Sequence, residues 1–291
     1  MGLGSLIHLT RRGTCNRGPA ARFNHLSEGF TYEQPSKYRV RGSGDFTLFL
    51  LHGAYGDGRY FNDFADSVAA QGYRVVDWDC PGYGDSTPVH PGIIEEFAKA
   101  ARAMVQHEAT GTNVVLGHSM GALIAPRLAN AEPKVDGIIL SAGSMGFPNR
   151  SPENQKKFLE ERLAPLERGM SVQEYAEPLI KHMMGKNASG PQVDYVFEVV
   201  LQMKTETFKT SLNALTLYNG RPSLEELDKP VLMIAGEEDT ACTAEGMRVM
   251  NDIVKDSTLH VLDGVGHYGF AEAPETYRGL VLDFLSDRFG K

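Results

Sequence analysis

One short stretch has the residue types and the spacing of a catalytic turn. It reads Gly117-His118-Ser119-Met120-Gly121. It follows an apolar run and opens a segment of helical pattern, which is the context that a nucleophile elbow requires. Such a sharp turn strains the serine backbone and lifts its hydroxyl clear of a sheet, and glycines on both sides avoid a collision across the turn. The pattern predicts that Ser119 is a nucleophile.

A serine nucleophile needs a base, because its hydroxyl reacts poorly until a histidine oriented by a carboxylate takes the proton. His267 follows Gly266 at the end of the last predicted strand, and Asp239 ends another apolar run. The carboxyl ends of parallel strands meet at one edge of a sheet, so both side chains are expected near the serine. We predict Asp239 as the acid and His267 as the base, with Glu237 and Glu238 as weaker alternatives for the acid.

Attack on a carbonyl also needs backbone amides that bind the oxyanion. The amide of Met120, directly after the nucleophile, is one expected donor. The other is expected from the loop 52–58, where three glycines let backbone approach a ligand closely. We predict that Ala54 supplies that second amide and that Tyr55 beside it contacts the substrate.

The elements that position these residues alternate along the chain. Apolar runs bounded by turn residues predict buried strands, and segments of helical periodicity separate them. This alternation indicates an α/β fold with a doubly wound, mostly parallel sheet, whose first two strands form an antiparallel edge. The predicted strands are 29–34, 38–43, 47–53, 73–80, 113–119, 135–143, 231–239 and 257–266. The predicted helices are 59–71, 93–109, 120–132, 243–254 and 275–288.

Residues 145–222 depart from this alternation of strands and helices, because no convincing strand is predicted in them. They contain helical patterns over 158–169, 172–185 and 192–218. An insertion that leaves the carboxyl end of a strand would lie over the site. We therefore predict a helical cap at 145–222, inserted after the sixth strand. A core of 28–144 and 223–291 and a basic N-terminal extension of 1–27 complete the domain prediction.

The predicted cap is rich in methionine and aromatic residues, which indicates a mid-sized, partly apolar substrate. Met183 and Phe208 are its predicted substrate contacts, although packing within the cap is the more common role of such residues. Cations of the cap could hold a substrate carboxylate, but a solvated helix face is the more common role for them. These cations are Arg150, Arg162 and Lys181.

The composition of the chain limits the kinds of partner and cofactor that we expect for it. The chain has 291 residues and a formal net charge of -8, which argues against nucleic acid as a partner. Its three cysteines are widely spaced, and their pattern implies neither a zinc site nor a disulfide framework. No phosphate-binding or dinucleotide-binding fingerprint is present, so we expect no cofactor and no metal. The expected partner is a small-molecule substrate, with no membrane contact and with a homodimer left open.

Location is predicted from the same features. No stretch approaches the roughly 18 apolar residues of a membrane span, and the cysteine pattern fits a reducing compartment. We predict a cytoplasmic protein. The alternative is targeting to an organelle, because residues 1–27 contain four arginines and no acidic residue, as transit peptides do.

The motifs together resemble the α/β-hydrolase superfamily. The matching stretches include Leu51-His52-Gly53, the run from Asp79 to Ser86, the elbow, Gly236 to Asp239, Gly264 to His267 and Glu272 to Glu275. They occur in the order of that family and cover the chain from about residue 28 to its end. Carried over by position, the resemblance implies Ser119 as nucleophile, Asp239 as acid and His267 as base. It implies Ala54 and Met120 as oxyanion donors.

Within the superfamily, the chain is similar to enol-lactonases, carboxylesterases and meta-cleavage-product hydrolases. The resemblance implies a serine hydrolase that cleaves a carboxylic ester or lactone through an acyl-enzyme. Two alternatives stay open: hydrolysis of a carbon–carbon bond in a dione by the same triad, and a hydrolase-fold receptor that binds a ligand with little turnover.

Overall fold

A seven-stranded sheet organises the computed structural model, which describes residues 36–147 and 151–290. The strands lie in the order β1-β3-β2-β4-β5-β6-β7, and β1 at one edge is antiparallel to β3 while the other pairs are parallel. This confirms the predicted mostly parallel sheet and the antiparallel edge position of the predicted strand 38–43, while the other predicted edge strand, 29–34, lies outside the described residues. The strands are β1 Tyr38–Arg41, β2 Phe46–Leu51, β3 Arg74–Trp78, β4 Thr112–His118, β5 Gly137–Ser141, β6 Val231–Gly236 and β7 Ser257–Leu262.

Burial on both faces explains why the inner strands are continuously apolar. β2 and β6 are buried at all their positions. Successive side chains of a strand point to opposite faces, so Phe49 and Leu51 join one apolar core while Leu48 and Leu50 join the other. β7 differs, because its side chains alternate between partly buried and exposed over most of its length. It is the edge of the sheet, and only one of its faces is covered.

Helices cover both faces of the sheet close to their predicted places. α2 and α3 contribute to the core of Phe49, whereas α1 and α11 contribute to that of Leu48. The helices outside the insertion are α1 Asn62–Ala69, α2 Ile94–Glu108, α3 Met120–Ala131, α9 Ala244–Ile253, α10 Gly269–Glu272 and α11 Pro274–Phe289. Five of the seven described strands are two to four residues shorter than predicted, β2 is one residue shorter, and β4 has the predicted length.

Five helices lie between β5 and β6. They are α4 Pro152–Glu167, α5 Val172–Met183, α6 Pro191–Val200, α7 Thr205–Leu217 and α8 Arg221–Glu225. The first four lie within the predicted insertion 145–222, and α8 crosses its end. The sequence predicts one continuous helical pattern over 192–218, but the segment forms α6 and α7 with a turn between them. Five described strands precede the insertion, because the predicted strand 29–34 lies outside the described residues. The division into core and cap domains stays a prediction.

The predictions for the N-terminal segment 1–27 also lie outside the described residues. Among the helices of residues 36–147 and 151–290, none combines the length and the apolar character that crossing a membrane requires.

Close contact between α3 and the end of β2 fixes where the elbow sits. A Cβ atom on Gly121 would lie 2.1 Å from the carbonyl oxygen of Leu51, and one on Gly117 would lie 2.2 Å from the carbonyl oxygen of Gly121. Only glycine fits at these distances, so the helix can begin directly against the sheet.

This contact predicts that alanine destabilises the protein at Gly121, whereas alanine at a helical glycine outside the contact stabilises it. Gly121→Ala should lower the free energy of unfolding by about 1–3 kcal/mol or more, because backbone must move to admit the methyl group. Gly279→Ala is the matched control in helix α11, where a Cβ atom would meet nothing within 4 Å. It should raise stability by about 0.4–1 kcal/mol. Urea denaturation of both variants is the measurement, and equal effects would contradict the proposed contact.

Candidate active site

The elbow has the strained geometry that its sequence predicts. Ser119 has φ 54° and ψ −110°, a positive φ in a residue other than glycine. Its amide donates to the carbonyl oxygen of Ser141 at 2.9 Å, which ties the turn to the end of the neighbouring strand. Strain of this kind persists only where the surroundings hold it, and it concentrates at functional sites.

Ser119 opens into a cavity of about 460 Å³. Most of its walls are apolar, and they come from both the strand-end loops and the inserted helices. The residues that line it are Ala54, Tyr55, Ser119, Met120, Leu123, Ser144, Gly146, Phe147, Phe158, Arg162, Leu179, His182, Met183, Leu212, Leu215, Thr240, Ala241, Cys242 and His267. The predicted nucleophile, the predicted base and both predicted oxyanion residues therefore meet at one cavity.

Asp239 holds the ring of His267. The Nδ1–H of His267 donates to Oδ2 of Asp239 at 2.7 Å, and both residues are almost completely buried. The other carboxylate oxygen of Asp239 accepts from the amides of Ala241 at 2.8 Å and Cys242 at 2.9 Å. Both oxygens are thus occupied, which fixes the carboxylate and directs Nε2 of the ring away from it.

The two alternative acids lie elsewhere. Glu237 accepts a hydrogen bond from the amide of Gly264 at 3.0 Å, and Glu238 accepts one from the amide of Lys186 at 2.7 Å. These bonds lower the pKa of both carboxyl groups, so both are ionised, but neither is hydrogen-bonded to His267.

Gly236 lets the loops of the acid and the base touch. A Cβ atom on Gly236 would lie 2.0 Å from the carbonyl oxygen of Gly266. The amide of Glu238 donates to the carbonyl oxygen of Val265 at 2.8 Å, so the pairing of β6 with β7 continues past the strand ends. This close approach brings Asp239 and His267 within hydrogen-bonding distance.

The loop after β2 is held from two sides. The carbonyl oxygen of Ala54 accepts a hydrogen bond from Tyr83 at 2.9 Å, and the amide of Gly53 donates to the hydroxyl of Tyr60. Met120 is the first residue of α3, so its amide has no partner within the helix. Ala54 and Met120 both line the cavity, where amides could bind a developing negative charge.

Of the three predicted substrate contacts, Tyr55 and Met183 line the cavity and Phe208 does not. The Phe208 ring lies behind Tyr55, with its centroid 5.5 Å from that ring and 5.6 Å from the ring of Tyr175. Phe208 therefore packs behind Tyr55 and does not line this cavity, and a substrate contact there stays a prediction. Helical spacing predicts that the Phe208 side chain is buried, but it does not show whether that side chain faces the cavity or packs behind Tyr55.

Two further histidines lie near the site. His118 is fully buried with its ring 4.9 Å from that of His267, and burial lowers its pKa well below the usual value, so it is neutral. It does not line the cavity, as expected for a side chain that the elbow turns away. His182 is exposed and helps to line the cavity.

Arg162 is the cation of the cavity wall. It is half-buried, and its guanidinium lies 5.2 Å from the centroid of the Phe158 ring. Among the described residues, no carboxylate forms an ion pair with it and no acidic residue lines the cavity. Of the other two cations considered, Lys181 pairs with Glu177 at 2.7 Å outside the cavity, and Arg150 lies outside the described residues.

Glu272 has a positioning role that the sequence analysis did not assign. Its carboxylate accepts hydrogen bonds from the amides of Gly266 at 2.9 Å and Tyr268 at 2.8 Å, on either side of His267. It also accepts one from the amide of Gly185 at 2.8 Å. Glu272 belongs to a stretch that matches the family, but nothing in that stretch alone indicates which backbone groups it binds.

The segment 182–186, which contains the last two residues of α5 and the turn after it, is bound to the loops of both the acid and the base. Thr240 donates to the carbonyl oxygen of His182 at 3.0 Å, and the amide of His267 donates to that of Met183 at 2.9 Å. A Cβ atom on Gly266 would lie 2.3 Å from the amide nitrogen of Gly185. The inserted helices and the loops of the acid and the base therefore share one hydrogen-bonded network.

The two cysteines within the described residues are free thiols. Burial raises the pKa of Cys80 and of Cys242, so both are protonated near neutral pH and are poor nucleophiles. Cys242 lines the cavity and Cys80 does not.

Comparison with known proteins finds hydrolases and esterases among the proteins that this chain resembles. The chain matches the family described as serine aminopeptidase, S33, over residues 43–274. It is 30% identical over 292 residues to a 2-hydroxy-6-oxononadienedioate/2-hydroxy-6-oxononatrienedioate hydrolase of Cupriavidus pinatubonensis, covering 92% of this chain and 96% of that protein. It is 26% identical to a pimeloyl-acyl-carrier-protein methyl ester esterase of Yersinia enterocolitica, covering 85% and 96%. An esterase structure from Exiguobacterium antarcticum superposes with a TM-score of 0.77 at 19% identity, covering 85% and 94%.

The hydrogen bonds of Glu272 predict that its charge stabilises the fold. Glu272→Gln should lower the free energy of unfolding by about 1.5–3 kcal/mol, because an amide has a single acceptor oxygen to offer to three backbone donors. Glu275→Gln is the matched control three residues further along the chain, where the side chain is exposed and pairs with Arg278 on the surface. Its effect should stay within about 0.5 kcal/mol in the same urea titration. Equal stability of the two variants would contradict this role.

Proposed function

Since the chain belongs to the serine aminopeptidase S33 family of α/β-hydrolases, we propose that it hydrolyses a carboxylic ester or lactone of a small, partly apolar molecule. The observation that carries the proposal is the meeting of Ser119 and His267 at one cavity, with Asp239 hydrogen-bonded behind the ring. This is the arrangement that makes a serine hydroxyl nucleophilic.

The first step forms an acyl-enzyme. His267 takes the Ser119 proton on Nε2 while the serine oxygen attacks the substrate carbonyl. Asp239 keeps Nδ1–H in place and stabilises the imidazolium. The amides of Ala54 and Met120 bind the oxyanion, each contributing roughly 3–4 kcal/mol as in comparable sites. The imidazolium then protonates the leaving alcohol as the carbon–oxygen bond breaks.

The second step releases the acid. Water enters the cavity, His267 removes its proton, and the hydroxide attacks the acyl carbon. The same two amides bind the second oxyanion, and the Ser119 oxygen leaves with the proton that the ring returns. No step requires a cofactor or a metal.

The cavity supports a mid-sized acidic substrate. Its volume of about 460 Å³ and its largely apolar wall fit a small acyl group or ring. Arg162 is a cation without an acidic partner among the described residues, which favours a substrate carboxylate at that end. The likeness to a pimeloyl-acyl-carrier-protein methyl ester esterase supports an ester as the bond that is cleaved.

A second candidate is cleavage of a carbon–carbon bond in a dione. It is favoured by the likeness to hydrolases of 2-hydroxy-6-oxononadienedioate, which cover 84% or more of this chain. A compound of that name has a ketone and two carboxylates but no ester, so water can split it only at a carbon–carbon bond. Arg162 would suit either substrate, because both offer a carboxylate.

The proposed mechanism predicts a steep loss of activity when either end of the triad is changed. With p-nitrophenyl acetate as substrate, kcat should fall by about 10⁴-fold or more in Ser119→Ala, because the nucleophile is removed. It should fall by about 10⁴-fold in Asp239→Asn, because His267 is no longer held in the tautomer that can accept the serine proton. Ser144→Ala is the control serine of the same cavity and should keep kcat within about threefold.

Measurement of kcat/KM on a panel of esters, lactones and 2-hydroxy-6-keto diones then shows which kind of bond the protein cleaves. Higher kcat/KM on the esters or lactones supports the proposal, and higher kcat/KM on the diones supports the second candidate. Negligible turnover of every compound by the wild-type protein would contradict both and favour a ligand receptor.

The proposed role of Arg162 predicts an effect on KM that depends on substrate charge. Arg162→Met should raise KM for a half-ester of a dicarboxylic acid by about 10- to 100-fold, because a charge-assisted hydrogen bond of roughly 1.5–3 kcal/mol is lost. KM for the neutral p-nitrophenyl acetate should change by less than about threefold. Lys181→Met, a cation of α5 outside the cavity, is the matched control. Equal effects of Arg162→Met on the charged and the neutral ester would contradict the role.

A further inference from the structure

The acid and the base of the cavity lie beside a third group that can bind a metal ion. Asp239, Cys242 and His267 each offer one ligand atom, and these three atoms lie within 4.8 Å of one another. Asp239 and His267 are almost completely buried, while Cys242 is half-buried and lines the cavity. An ion could therefore reach the cluster through the cavity that admits the substrate.

The charge of Asp239 is not balanced by a cation within the described residues. Its carboxylate interacts with the ring of His267 and with the amides of Ala241 and Cys242, and no arginine or lysine forms an ion pair with it. A buried carboxylate of this kind attracts a positive ion more strongly than a surface carboxylate does, because little water screens it.

We propose that Asp239, Cys242 and His267 form an inhibitory site for Zn²⁺ or a similar thiophilic divalent cation. The set of one sulfur, one nitrogen and one oxygen ligand is of the kind that Zn²⁺ prefers, and water from the cavity would take the fourth tetrahedral position. Mg²⁺ and Ca²⁺ prefer oxygen ligands alone, so they should bind poorly. The prediction of inhibition, though not of binding, rests on the proposed hydrolase function.

The geometry requires a small rearrangement of the cluster. Zinc bonds of about 2.0–2.3 Å place tetrahedral ligand atoms roughly 3.3–3.7 Å apart. The longest separation, of up to 4.8 Å, therefore shortens by about 1 Å, a change that rotation of the Cys242 side chain can supply. Where the metal takes Nδ1 of His267 and Oδ2 of Asp239, their hydrogen bond of 2.7 Å opens to admit the ion. Binding releases the thiol proton to solvent, and also the ring proton where the metal takes Nδ1.

Metal binding and catalysis exclude one another at this cluster. The ring of His267 cannot accept the Ser119 proton while its nitrogen and its carboxylate partner hold a metal, and the ion would occupy space at the cavity wall. The inhibition should therefore be reversed by a chelator and weakened by saturating substrate.

Binding can be measured without catalysis by titrating Co²⁺ into full-length Ser119→Ala protein. The expected result is a near-ultraviolet charge-transfer band from cobalt–thiolate coordination. The band should be lost when Cys242→Ser is added, and binding should weaken by at least about tenfold when His267→Ala is added instead. Circular dichroism of each variant checks that it is folded. Absence of the band in folded Ser119→Ala protein would overturn the site, whatever the protein's activity.

Inhibition is tested by Zn²⁺ titration of ester hydrolysis in the wild type and in Cys242→Ser, each relative to its own zinc-free rate. The zinc concentration for half-inhibition should rise at least about tenfold in Cys242→Ser, and Mg²⁺ at the same concentrations should have no effect. An unchanged value in Cys242→Ser would show that zinc acts elsewhere. A cobalt band in protein without hydrolase activity would support the metal site and contradict the proposed function.

Discussion

The hydrogen bond between His267 and Asp239 is the interaction on which the rest of the site depends. It can form because the strand-end loops of β6 and β7 approach more closely at Gly236 than any side chain would permit. The same constraint recurs at the elbow, where glycines let α3 begin against the end of β2. Chemistry at this sheet edge thus rests on backbone contacts as much as on the reactive groups.

The inserted helices do more than cover the cavity. The segment 182–186 hydrogen-bonds to the loops of both the acid and the base, and Glu272 joins it to the amides that flank His267. The position of the imidazole therefore depends on the insertion as well as on the sheet. A change in how the helices pack around a substrate would be transmitted to the ring through these hydrogen bonds.

The sequence predicted the sheet and the cluster of Ser119, Asp239 and His267 well, because sterically demanding turns leave glycines at fixed offsets and parallel strands end at one edge. It was less informative about the insertion. Periodicity marked Phe208 as apolar but could not show that it packs behind Tyr55. The role of Glu272 was also missed, because a carboxylate that binds distant backbone amides has no local pattern. β7 was predicted with the buried strands although its outer face is exposed, since strand order is not visible in an apolar run.

The central claim is that one hydroxyl, at Ser119, is activated by the ring beside it. Labelling the folded protein with a fluorophosphonate and mapping the modified peptide tests this most directly, because the reagent reacts with activated serines whatever the natural substrate. The account predicts a single label on Ser119, formed much more slowly in His267→Ala. A label on another residue, or equal labelling rates in the two proteins, would contradict it.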